Sequence, residues 1–86
     1  MKNKKRIEIL ELVSKLNAFR SDAGDGEYNS FAFAKLLADE DSKNLMKKAS
    51  KTNYEKLVGL NDNSLCNEPE VSKIIGKMVH ALLELR

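Results

Sequence analysis

The sequence predicts an all-α fold: a compact bundle of four or five helices, with long helices first and last and short ones between. Three observations predict it. There is one Pro and only four Gly in 86 residues, and β-branched residues nowhere alternate with polar ones over the length of a strand. Apolar residues recur at helical spacing near both ends of the chain. Between those ends lie short polar breaks that carry capping signals.

The first helix is expected over about residues 4–20, with residues 1–4 frayed. Ile9, Leu10, Leu12, Val13, Leu16 and Phe19 share one broad face, and Ile7 falls off it. Ser21-Asp22-Ala23-Gly24-Asp25-Gly26-Glu27 then breaks the helix with two glycines and small polar residues. Aligning Gly26 with the glycine of a calcium-binding EF-hand loop puts Ser21, Ala23 and Ala32 at the first, third and last ligand positions; the two alanines cannot coordinate, so the segment reads as a turn. A second helix runs from Ser30 to about Ala38, capped by Asn29 or Ser30. It carries Phe31 and Phe33, which lie two apart and cannot face the same way on a helix.

Asp39-Glu40-Asp41-Ser42 is a weaker break, without Gly or Pro. A helix over 42–50 follows. Thr52-Asn53-Tyr54-Glu55 has the spacing of a capping box and predicts a restart there, with a short helix to about Leu60; one continuous helix over 42–59 is the alternative. Asn61 to Cys66 is a loop. Asn67-Glu68-Pro69-Glu70 supplies a cap, a first-turn Pro and first-turn acids, so the last helix begins at 67–69 and runs to the end. On a wheel at about 100° per residue, Val71, Ile74, Ile75, Met78, Val79, Ala81, Leu82, Leu83 and Leu85 cover an arc of roughly 200°, wider than an ordinary surface helix presents. Ser72, Lys73, Gly76, Lys77, His80 and Glu84 form the narrow polar strip.

The length bounds the chain to a single domain over 1–86. No apolar run approaches a membrane span, and a lone cysteine, Cys66, permits no internal disulfide, so the expectation is a cytoplasmic protein. A net charge of +2 is too small by itself to argue for nucleic acid, but charge is distributed in blocks. Residues 1–20 carry +4, residues 21–42 carry −5, residues 43–60 carry +4 and residues 61–86 carry −1. Such blocks pair internally or steer a charged partner.

Catalysis has little support. One His and one Cys make no metal-ligand cluster, and no Gly-rich phosphate loop is present. His80 falls within the polar strip of the last helix and is expected to be solvated. The expectation is therefore a protein without enzymatic activity and without a cofactor.

The leading expectation is a small interaction module: an adaptor, inhibitor or regulator that buries the apolar face of the last helix against a protein partner or a second copy of itself, as a homodimer. Ile74, Met78, Val79, Leu82, Leu83 and Leu85 would form that interface. The alternative is a DNA-binding transcriptional regulator. Lys43, Lys47 and Lys51 are spaced i, i+4, i+8, with Lys48 beside them, and like charges at that spacing repel unless an anion relieves them. A helix-turn-helix over residues 33–51 is disfavoured, because Asp39, Glu40 and Asp41 would stand near the DNA backbone.

Overall fold

A computed structural model describes residues 2–63 and 68–86. They form four helices: α1 (Lys2–Gly24), α2 (Ser30–Ala38), α3 (Glu40–Asp62) and α4 (Glu68–Leu85). The all-α bundle with long first and last helices is as the sequence predicts. Cys66 and the expected cap Asn67 lie outside the described residues.

Helix α1 runs four residues past its expected end. Gly24 is still helical, and the reversal comes at Gly26, the glycine with a left-handed φ of +75°. The Glu27 N–H donates to the Asp22 carbonyl at 2.9 Å and the Gly26 N–H to the Ala23 carbonyl at 3.4 Å. These two bonds are the Schellman closure, which needs a residue free to adopt positive φ just beyond the helix. Extending the helix also buries Ala23.

Helix α2 has the bounds expected. Asn29 caps it, its Oδ1 accepting the Ala32 N–H at 3.0 Å. At its other end Asp39 is the single residue separating α2 from α3. The Asp39 N–H donates to the carbonyls of Lys35 and Leu36, and its Oδ2 accepts the Ser42 N–H at 3.1 Å. One of the remaining end carbonyls, that of Leu37, accepts the Tyr54 hydroxyl at 2.8 Å. Burial raises the Tyr54 pKa.

Helix α3 reconciles the two expectations for residues 42–60. It is one element bent at Ser50, whose φ of −163° and ψ of 96° leave the helical region. The Ser50 Oγ accepts the Asn53 N–H at 3.2 Å, so Ser50 caps the second half. The restart therefore lies two residues before the expected Thr52. The bend lets Met46 before it and Tyr54 and Leu57 after it reach the same core.

Helix α4 is the hub. It packs against α1 and against α3, while α2 packs on α3. An aromatic group ties α2 to α1: Phe33 is fully buried, with the Phe19 ring 5.0 Å away and the Tyr28 ring 5.8 Å away, edge-on. The Tyr28 hydroxyl donates to Asn61 Oδ1, and Asn61 Nδ2 donates to the Ser30 carbonyl at 3.0 Å, joining the end of α3 to the start of α2. No described helix is long and apolar enough to cross a membrane.

Candidate functional site

The wide apolar arc of α4 is the interior of this one chain. Ile74, Met78, Val79 and Leu82 are buried, and Leu83 and Leu85 are half-buried at the edge of the same core. Ile74, Met78, Val79 and Leu82 therefore present no free face in this chain, contrary to the expected partner surface, while Leu83 and Leu85 keep part of theirs. Two neighbouring helices cover α4 instead of one, and a helix wedged between two neighbours needs an arc of that width. The exposed apolar side chains lie elsewhere: Ile7 and Leu10 on α1, and Phe31 on α2 at 71% exposure. The lysine ammonium of Lys35 lies 4.8 Å from the centre of the Phe31 ring. Ile7 falls off the apolar face of α1 as its spacing predicts, and of Phe31 and Phe33 it is Phe31 that faces out; Leu10, which spacing places on the shared face, is also exposed.

The lysine row is also altered. Lys43 is half-buried, and Lys47, Lys48 and Lys51 are exposed. The bend at Ser50 places Lys51 on a different axis from Lys43 and Lys47, so the three do not form one straight stripe. Lys47 turns toward Tyr54, its Nζ 5.7 Å from the ring centre, within cation–π range. Lys48 turns to α1. Its ammonium lies beside that of Lys5 and holds the Lys5 pKa below its ordinary value, through the direct contact first and charge repulsion second. Lys5 in turn lines a hollow with Arg6, Ile9, Leu85 and Arg86. Lys5 and Arg6 of α1 and Arg86, just past α4, thus line one hollow with Lys48 of α3 beside Lys5, and among the described residues no carboxylate side chain lines it.

The opposite sign collects between α1 and the start of α3. Glu8, Glu11, Asp39 and Asp41 line a second hollow, with Lys15 its one cation among the described residues. Hydrogen bonds from the Ser42 backbone and hydroxyl hold the Asp39 carboxyl below the usual carboxylate range, and Lys15 adds attraction. Among the described residues no three His, Cys, Asp or Glu side chains come together as metal ligands.

A third feature lies on the polar strip of α4. An open groove of about 530 Å³ is lined by Lys73, Gly76, Lys77 and His80 of α4, Arg20 of α1 and Asn53 of α3. The Arg20 guanidinium lies across Gly76: a Cβ there would stand 3.1 Å from its Cζ and 3.2 Å from one Nη. A glycine inside a helix costs about 1 kcal/mol relative to alanine. Here the missing side chain is what lets the guanidinium rest on the α4 backbone. Arg20, Lys73 and Lys77 have no ion-pair or hydrogen-bond partner among the described residues. His80 is exposed, as expected, and stands 3.0 Å from Glu84. Sequence reasoning missed the Arg20–Gly76 contact. Its one signal was a lone glycine in the middle of an otherwise strong helix, which marks close approach of another group.

Comparison with protein-family models, with curated proteins and with solved structures finds no match to this chain.

Proposed function

We propose that this chain is a small non-enzymatic binding module whose partner is nucleic acid, held through its phosphate backbone. The observation that carries this reading is the basic hollow at the end of the bundle. Lys5 and Arg6 of α1 and Arg86, just past α4, line the hollow, Lys48 of α3 contacts Lys5 at its edge, and among the described residues no side-chain carboxylate lines it. Such an arrangement is repulsive in isolation and is relieved by a polyanion. The net charge of +2 is no objection, because the acidic residues collect in a separate hollow. Burial of the α4 face removes the main support for the protein-interface reading and shifts weight to its alternative. The cationic face differs in detail from the expected row, since Lys48 joins Lys5 and not Lys51.

The test is binding of a labelled DNA duplex over a salt series. Four phosphate contacts predict that log K falls against log salt with a slope of about −3.6. Lys48→Glu should weaken binding and flatten the slope by about one contact or more. Affinity that is indifferent to salt, or unchanged in K48E, would overturn the reading.

A second reading has its own observation. Ile7 and Leu10 are three apart on the outer side of α1 and are 55% and 41% exposed. A protein partner or second copy covering them would bury apolar surface, and light scattering at high and low salt would then show an assembly that salt does not dissociate.

A further inference from the structure

We infer that the groove over Gly76 is a phosphate-binding site, with Arg20 as its principal ligand and Lys73 and Lys77 as flanking cations. This does not rest on the nucleic-acid reading, which concerns the other end of α1. The guanidinium presents a planar fork of N–H donors suited to two oxygens of one phosphate, and it has no acceptor among the described residues. Docking against the bare backbone at Gly76 fixes where that fork sits, so less freedom is lost when an anion arrives. Lys73 and Lys77, one turn apart on α4, line the same groove as the fork. Asn53 lines the groove as well, and its side chain carries a neutral donor. Glu84, the one carboxylate lining it among the described residues, stands beside His80, two turns beyond Gly76.

Both a free phosphate ester and a nucleic-acid backbone carry the group this site would hold. The experiment follows the Gly76 amide and the Arg20 Nε–H by NMR during titration with sodium phosphate, with ionic strength held constant by chloride. A saturable shift at both resonances is expected, with affinity weakened about tenfold or more in Arg20→Gln. Gly76→Ala should weaken it too, though less than R20Q, because its Cβ makes the guanidinium give by a few tenths of an ångström, and it should melt no lower than the parent because alanine favours the helix. That second variant separates loss of binding from loss of fold. A linear shift that chloride reproduces, or parent-like saturation in both variants, would overturn the site. A short oligonucleotide titrated in parallel distinguishes the sources. Tighter binding than phosphate alone, lost in R20Q, assigns a nucleic-acid backbone; equal or weaker binding assigns a free phosphate ester. Insensitivity of DNA affinity to K48E would sink the earlier reading and leave this one standing.

Discussion

At Asp39 a single side chain and its own N–H serve two helices, ending α2 and starting α3. Because hydrogen bonds from Ser42 depress its pKa, its contribution to stability is present above its unfolded pKa, near 3.8, and is lost as pH falls through the lower folded value. Asp39→Ala should therefore lower the melting temperature by a few degrees at neutral pH, and the gap from the parent should close as pH drops below about 4. Asp39→Asn should keep the cap and lose its acid sensitivity. Thermal melts across pH check both. Residue-level features with local causes were legible in the sequence: the Asn29 cap, and the conflict between Phe31 and Phe33. The seat of Arg20 on Gly76 was not, because those residues are 56 apart in the chain and only tertiary packing brings them together.

Among the elements, α2 is bounded where its capping signals put it and α4 starts within its expected 67–69, whereas α1 and α3 depart from their expected bounds. In α1 two glycines compete to end the helix. Sequence cannot say which one takes positive φ until the Schellman bonds of Asp22 and Ala23 are seen. In α3 two hydroxyl residues, Ser50 and Thr52, compete to restart it. The box pattern favoured Thr52 on spacing alone, whereas keeping both Met46 and Tyr54 in the core selects Ser50. Ser50→Ala should cost about 1 kcal/mol, and Thr52→Ala should stay within about 0.5 kcal/mol of the parent, because only Ser50 caps. Denaturant melts of the two variants compare them directly; a larger loss for T52A would place the restart where the box pattern put it.

For the whole molecule, the amount of apolar surface was legible and its destination was not. Periodicity says that α4 has a face of roughly 200° to hide; it does not say whether one partner chain or two helices of the same chain hide it. Here α1 and α3 do so, and Leu82, at zero exposure, is interior. Leu82→Ala should accordingly destabilise the fold by about 2–5 kcal/mol, seen as a lowered urea midpoint, where loss of a mere docking contact would leave the midpoint near that of the parent. The central place of α4 also reaches back to the birth of the chain. A ribosome makes α1, α2 and α3 first, and Ile9, Leu12, Leu16, Met46 and Leu57 then lack their main cover. At about 5–20 residues per second, the eighteen residues of α4 take on the order of one to four seconds to add. Over that interval the apolar faces of α1 and α3 lack the helix that covers them in the finished fold.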